Sequence, residues 1–133
     1  MKLIKFKPNF TDNRGSITDL FYDETINHVT HIKTTDTSSV RGNHYHKKTT
    51  QAMYIIKGSL KYWYKQLGEN ETKCVLVKSG EMVVTKPNEV HAISFEEENE
   101  FIVFSWGLRG GKDYEIDTFR VDNIIKSWLI KKF

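Results

Sequence analysis

Two histidines separated by one residue carry the strongest chemical signal in this chain. On a β-strand alternate side chains share a face, so His44 and His46 are expected to point together, with Tyr45 opposite them. Such a pair can bind a metal ion, or can place an acid and a base over one substrate, because imidazole titrates near neutral pH. A third histidine, His91, begins a later predicted strand. The spacing leaves both kinds of chemistry open.

The elements that must position these histidines are β-strands, because hydrophobic residues recur with a period of two. Within residues 59–65, Leu60, Tyr62 and Tyr64 share one face and the two lysines take the other. Residues 100–106 are apolar on both faces, which is typical of a strand that is buried on both sides. Further strands are predicted over residues 2–6, 16–21, 27–34, 40–46, 51–57, 72–78, 81–85 and 90–96.

Many short strands separated by turn residues predict a sandwich or barrel. Only near the end of the chain does the spacing of apolar residues change from two to that of a helix. This spacing predicts a short C-terminal α-helix packed on the strands. No linker or repeat divides residues 1–133, so one domain is expected. The residues that define the predicted helix are Val121, Ile124, Ile125, Trp128 and Leu129.

Composition, charge and cysteine count limit the classes of function that are compatible with this chain. The chain has 133 residues, of which 38% are hydrophobic and 28% charged, as in ordinary globular proteins. The net charge of +3 comes from scattered basic residues, which favours an anionic small ligand over nucleic acid. The chain has a single cysteine, Cys74, so an internal disulfide framework is excluded. Cys74 is interpreted as a small residue of the core. No membrane span or signal peptide is expected, and the predicted location is the cytoplasm.

Two groups of residues resemble the two motifs of the cupin superfamily in type and spacing. The resemblance implies an all-β fold, the double-stranded β-helix or jelly-roll barrel. Gln51 stands where metal-binding cupins have glutamate, which removes the anionic ligand from a site of three histidines and one carboxylate. Ser38, Lys86 and Asn88 are further departures, although asparagine, like glycine, tolerates a positive φ. The matching positions are His44, His46, position 51 and Gly58 in the first motif, and Gly80, position 86, position 88 and His91 in the second.

A narrower resemblance covers most of the chain. Residues 12–16, 40–48 and 112–114, together with Asp117, resemble the dTDP-sugar 3,4-ketoisomerases and the cupin domain of capsular sugar epimerases and reductases. The resemblance implies an isomerase or epimerase that acts on a nucleotide-linked 4-keto-6-deoxysugar in bacterial surface polysaccharide biosynthesis. It also implies a homodimer, and neither a metal nor another cofactor is expected.

The same resemblance implies roles for individual residues. His44 and His46 are the expected acid and base, with His46 slightly favoured as the base. Arg41 is expected to bind the pyrophosphate or a developing oxyanion. Related ketoisomerases often carry a tyrosine in the stretch that Thr30 and His31 occupy here, and His31 is the residue expected to take its role. His28 is interpreted as structural. The other residues expected to bind substrate are Gln51, Tyr62, Tyr64 and His91.

Two alternative functions stay open at this point. One is a metal-dependent cupin enzyme that uses His44, His46 and His91, and possibly Gln51, as ligands. The other is a sugar-binding or regulatory cupin without catalytic activity. Metal analysis separates the first alternative from the leading hypothesis, and turnover of a 4-keto sugar separates the second.

Overall fold

The computed structural model describes residues 1–108, 113 and 115–126. Strands form the framework, as the period of two predicts, and none of the described residues lies in an α-helix. The strands are β1 Lys2–Lys5, β2 Phe10–Asp12, β3 Gly15–Ile17, β4 His28–Thr34, β5 Val40–Tyr45, β6 Thr50–Lys57, β7 Ser59–Gln66, β8 Lys73–Lys78, β9 Glu81–Thr85, β10 Glu89–Ser94, β11 Asn99–Trp106 and β12 Phe119–Arg120.

Two five-stranded antiparallel sheets face each other. The first has the strand order β1-β9-β6-β11-β4 and the second β12-β5-β10-β7-β8, while β2 and β3 form a separate hairpin. From β4 to β7 successive strands alternate between the two sheets. Gly58, which connects β6 to β7, has a φ of 77° and lies too close to the Glu98 carbonyl to carry a Cβ atom. The chain therefore passes between the sheets at a position that suits only glycine. The predicted all-β class is confirmed.

The main core lies between the sheets and takes side chains from both. Met53, Ile55 and Phe101 come from the first sheet, and Tyr62 and Ile93 come from the second. These residues occupy alternate positions of their strands, so the inner faces supply a continuous apolar layer. Burying such side chains stabilises the fold by roughly 25 cal/mol for each Å² of apolar surface removed from water.

The outer face of the second sheet is also covered. Trp63, Val90, Ala92 and Ile124 form a smaller apolar cluster there. Lys61 lies on this face of β7, where its side chain is buried and forms an ion pair with Glu96. The predicted direction of the lysine side chains in residues 59–65 is therefore correct. At Lys61, however, this outer face of the second sheet is covered by other residues and excludes water.

Several predicted element boundaries differ from the structure. The strand expected over 16–21 ends at Ile17, because residues 10–17 close into a hairpin whose turn is held by the Asp12 carboxylate and the backbone and side chain of Arg14. The short strand β12 was not predicted. The turn at Asn88 has the positive φ, 66°, that its residue type suggested.

The C-terminal helix is not seen in the described residues. Residues 121–126 are irregular, and the Val121 and Ile124 amides donate to the Asn43 backbone and side-chain oxygens. Their apolar side chains pack on the second sheet without helical hydrogen bonding. The rest of the predicted helix, including Trp128 and Leu129, lies outside the described residues. No helix in the described part of the chain has the length and apolar character needed to cross a membrane.

Candidate active site

A cavity of about 570 Å³ opens between the two sheets. Its wall has a polar part and an apolar part. The apolar part is formed by Ile32, Met53, Ile93, Phe101 and Val103. The polar part is formed by His28, Thr30, Arg41, His44, Gln51, His91, Ser105 and Arg120.

Strand register places the polar residues of the second sheet in one row. His44 on β5 pairs with His91 on β10, and with Arg120 on β12. Because paired residues in antiparallel strands point to the same side of a sheet, the three side chains are neighbours. Arg41, also on β5, lines the cavity and is exposed. One wall thus combines two imidazoles with two guanidinium groups.

Three imidazoles lie close together at this part of the cavity wall. The ring centre of His44 lies 4.8 Å from that of His46 and 4.7 Å from that of His91. His46 and His91 are 5.5 Å apart by the same measure. The three histidines that the cupin resemblance groups into one site therefore lie together in the structure.

His44 and His46 differ in how they meet the cavity. His44 lines it, whereas His46 is 1% exposed and lies behind the wall. The Nδ1 atom of His46 donates to the Asp117 carbonyl oxygen at 2.6 Å, and its Nε2 atom lies 3.2 Å from the Gln51 side-chain oxygen. Both ring nitrogens of His46 therefore face protein oxygens, and only His44 of the pair faces the space where a ligand would bind.

Asp117 organises the loop that follows the histidine pair. Its carboxylate accepts hydrogen bonds from the backbone amides of Lys47, Lys48 and Thr49 and from the Thr49 hydroxyl, at 2.8–2.9 Å. Burial by itself raises the pKa of this carboxyl, but the donated hydrogen bonds outweigh burial and hold the pKa below its ordinary value of 3.8. A buried carboxylate with four donors is a rigid anchor, and its own carbonyl oxygen orients His46.

His91 is oriented in a similar way. Its Nδ1 atom donates to the Glu89 carbonyl oxygen at 3.2 Å, and its ring stacks on Tyr62 at 5.9 Å between centres. The Tyr62 hydroxyl donates to the Glu89 carboxylate at 2.8 Å and also contacts Thr85. Burial and the Glu89 charge raise the pKa of Tyr62, so the phenol stays protonated and acts as a donor. The amino group of Met1 pairs with the same carboxylate.

Close backbone approach also fixes the spacing of β5 and β10. Gly42 has a φ of 92°, and a Cβ atom there would lie 2.8 Å from the His91 carbonyl oxygen. Any other residue would push β5 away from β10 and disturb the pairing of His44 with His91. The glycine between Arg41 and the histidines is thus part of the site geometry.

Three residues that were expected to bind substrate lie outside the cavity. His31 points to the outer face of β4, where its side chain is 50% exposed and its Nε2 atom lies 3.2 Å from a Glu100 oxygen. Strand alternation is the reason, because His28 and Thr30 take the inner positions. Tyr62 is fully buried in the core, and Tyr64 packs beside it. These two tyrosines support the site from behind.

His28 and Arg120 line the cavity, and neither was selected from the sequence. His28 was interpreted as structural because a single histidine carries little signal. Its position two residues before Thr30, in a predicted strand that alternates, was the available clue to a shared inner face. Arg120 lies in a strand of two residues, which is too short to show an alternating pattern in the sequence. Its guanidinium group forms a bidentate ion pair with Glu115, at 2.6 and 2.8 Å.

The three-histidine cluster also fits a divalent metal ion. One ring nitrogen from each of His44, His46 and His91 lies within 4.8 Å of the others. Carbonyl partners on Nδ1 of His46 and His91 leave Nε2 as the coordinating atom, which is the usual arrangement around metal-binding histidines. Gln51 would contribute a neutral oxygen. An ion held there would act as a Lewis acid toward a substrate carbonyl.

Cys74 takes no part in the site. It lies on β8, half-buried beside the outer cluster of the second sheet. Burial raises the pKa of its thiol to about 11, so the thiolate is scarce at neutral pH. Its interpretation as a small packing residue agrees with this environment.

Solved structures with the same fold include sugar-nucleotide enzymes. The QdtA 3,4-ketoisomerase from Thermoanaerobacterium thermosaccharolyticum, solved as a double mutant with TDP, is 27% identical, with a TM-score of 0.74 over 90% of this chain and 86% of that one. A histidine-to-asparagine mutant of QdtA, solved with TDP-4-keto-6-deoxyglucose, is 25% identical, with the same TM-score and coverage.

More distant structures share the fold. The WlaRB TDP-quinovose 3,4-ketoisomerase from Campylobacter jejuni is 20% identical, with a TM-score of 0.74 over 90% of this chain and 92% of that one. The capsular polysaccharide assembling protein CapF from Staphylococcus aureus is 19% identical, with a TM-score of 0.63 over 89% of this chain and 34% of that one.

Sequence comparison gives the family. No curated protein sequence matches the chain significantly. The model of the polysaccharide biosynthesis C-terminal domain matches residues 10–119, which span most of the cavity-lining strands. The chain therefore belongs to the polysaccharide biosynthesis C-terminal domain family.

Proposed function

We propose that this protein is an isomerase or epimerase of a nucleotide-linked 4-keto-6-deoxysugar, and specifically a 3,4-ketoisomerase. The observation that carries the proposal is His44, an imidazole in the wall of the cavity between the sheets, with His46 and His91 next to it. The similarity to a ketoisomerase solved with TDP-4-keto-6-deoxyglucose supports the substrate class.

The reaction needs one group that moves a proton between neighbouring carbons. A C–H bond next to a ketone is acidic, so a base can remove that proton to give an enediol, and the proton can return to the former carbonyl carbon. Imidazole can do both near neutral pH. In this proposal His44 is the base, because it lines the cavity whereas His46 is enclosed behind the wall, with both ring nitrogens facing protein oxygens.

The other polar residues suit binding and orientation. Arg41 and Arg120 line the cavity and are exposed, which suits recognition of the diphosphate by charge-assisted hydrogen bonds. Arg120 would have to share or exchange its Glu115 partner. Gln51 and His91 complete the polar wall around the sugar.

The apolar part of the cavity suits a deoxysugar. A methyl group at carbon 6 is favourable against Ile93, Phe101 and Val103, whereas a hydroxymethyl group there would lose hydrogen bonds to water. Burying a group of that size contributes about 0.8 kcal/mol for each carbon. The cavity chemistry therefore favours the 6-deoxy form over the parent sugar.

A second candidate function is a metal-assisted isomerase. The observation that favours it is the three-histidine cluster, whose ligand atoms lie within 4.8 Å of one another. The neutral Gln51 weighs against it, because three imidazoles and an amide leave the charge of the ion uncompensated. We accordingly propose turnover that does not require a metal.

The proposal extends to assembly and location. A homodimer in the cytoplasm agrees with the family resemblance. Val29 and Ile56, which are 56% and 45% exposed on the outer face of the first sheet, offer apolar surface that a second copy would cover. Light scattering coupled to size-exclusion chromatography tests the dimer.

Proton NMR in deuterated water tests the reaction. TDP-4-keto-6-deoxyglucose is incubated with the purified protein, and we expect a new keto sugar with deuterium at the carbon that bore the original carbonyl. The UDP- and GDP-linked analogues serve as controls for the nucleotide. Binding of the TDP sugar without conversion or exchange would show a sugar-binding protein instead of an enzyme.

A further inference from the structure

A fourth histidine faces the three-histidine cluster from the opposite sheet. His28 on β4 lines the cavity and pairs in register with Ser105 on β11, and Ser105 pairs in turn with Gln51 on β6. Gln51 contacts His46. The row of His28, Ser105 and Gln51 therefore lies at the level of the cluster, and a ligand in the cavity is flanked by His44 on one sheet and His28 on the other.

The hydrogen bond that His28 makes suits it to proton transfer. Its Nδ1 atom lies 3.1 Å from the Thr30 hydroxyl oxygen. When that oxygen accepts from Nδ1–H, the Nε2 atom is left with a lone pair for a bound molecule. His28 is half-buried, so a ligand can reach its ring, whereas His46 is enclosed. A histidine used only for packing needs neither the cavity position nor the hydroxyl partner.

A ketone shift also needs a proton to move between oxygens. When a base takes the carbon-bound proton, the carbonyl oxygen becomes an enediolate, and the neighbouring hydroxyl must lose its proton before it becomes the new carbonyl. His44, occupied by the carbon-bound proton, cannot carry this second proton at the same time. A second acid–base group on the other side of the sugar is therefore required, or water must replace it.

We propose that His28 carries the hydroxyl proton of this reaction, an inference that rests on the proposed function. His44 takes the proton from the carbon that bears the hydroxyl, and the electron pair forms the carbon–carbon double bond. Nε2 of His28 then accepts the hydroxyl proton and delivers it to the former carbonyl oxygen. The new carbonyl forms as the double bond takes its proton back from His44 at the neighbouring carbon. No oxidant, reductant or co-reactant is consumed.

Kinetics of paired variants test this role. His28→Asn keeps polarity and approximate volume but cannot carry a proton, so kcat should fall by about 10²-fold while KM changes little. His28→Ala should regain part of its kcat when imidazole is added, because the small base can enter the space left by the ring. Thr30 is a positioning residue, so Thr30→Val should lower kcat and Thr30→Ser should restore it. His31→Ala is the matched control, since His31 is on the outer face of the same strand.

The outcomes separate the two proposals. If wild-type protein neither converts TDP-4-keto-6-deoxyglucose nor exchanges its protons, the proposed function fails and the role of His28 falls with it. If wild-type protein is active and His28→Asn keeps its kcat, or changes only KM, the inference about His28 alone is overturned. A His28→Asn loss with a normal unfolding midpoint, together with imidazole rescue of His28→Ala, supports it.

Discussion

The Nδ1 atom of His46 donates to the backbone carbonyl of Asp117, 71 residues later in the chain, at 2.6 Å. The side chain of Asp117 meanwhile accepts from the amides of residues 47–49. One residue thus orients a histidine ring and closes the loop that follows it. The consequence is that His46 is held as a fixed group behind the cavity, while the neighbouring His44 faces the ligand space.

Asp117→Asn should lower the free energy of unfolding by about 2 kcal/mol. The amide group of asparagine places donors where the carboxylate now accepts four hydrogen bonds, and at least one buried donor is left without a partner. Urea denaturation measures the change. Asp36→Asn is the control, because this exposed residue can still accept from Ser38, and its effect should stay within about 0.5 kcal/mol. Equal effects would show that Asp117 is not an anchor.

Acid should weaken the fold through the same carboxylate. Because the pKa of Asp117 is lower in the folded state than its ordinary 3.8, its contribution to stability is fully present above that value and is lost as the pH falls through the lowered pKa. The difference in unfolding free energy between wild type and Asp117→Asn should therefore be large at neutral pH and shrink below about pH 4. A difference that stays constant down to that acidity would contradict the pKa shift.

His44→Asn should lower kcat by about 10²–10⁴-fold and abolish deuterium incorporation next to the carbonyl. The amide cannot accept the carbon-bound proton, although it roughly keeps the size and polarity of the ring. His46→Asn should cost less in kcat and more in stability, because it removes a buried group that bonds to the Asp117 carbonyl. NMR kinetics and urea denaturation of both variants give the comparison. The opposite order of kcat losses would make His46 the base.

Chelation of divalent metals should leave wild-type turnover unchanged. Gln51→Glu should raise the affinity for Zn²⁺ on the order of tenfold or more, because a carboxylate then faces the His46 ring and supplies the missing negative charge. Isothermal titration with Zn²⁺ measures both proteins, and Gln66→Glu, on an exposed strand end, is the control for charge alone. Loss of wild-type activity on chelation, with recovery on adding one metal back, would support the metal-assisted alternative.

Local sequence rules determined much of this protein. The period of two predicted most of the strands and the shared direction of His44 and His46, because both depend only on the backbone geometry of a single strand. Residue types predicted the positive φ of Asn88 and the packing role of Cys74. The resemblance to the cupin motifs implied that His91 joins the histidine pair in one site, and the three rings do lie together.

Tertiary structure decided which histidines meet the cavity. His46 lies behind the cavity wall because its ring is hydrogen-bonded to the carbonyl of Asp117, far along the chain. His28 lines the cavity because β4 pairs with β11 in one particular register. His31, predicted to bind substrate, lies outside because that register gives the inner positions to its neighbours. Pairing between distant strands and hydrogen bonds between distant residues set these positions, and neither leaves a local period in the sequence.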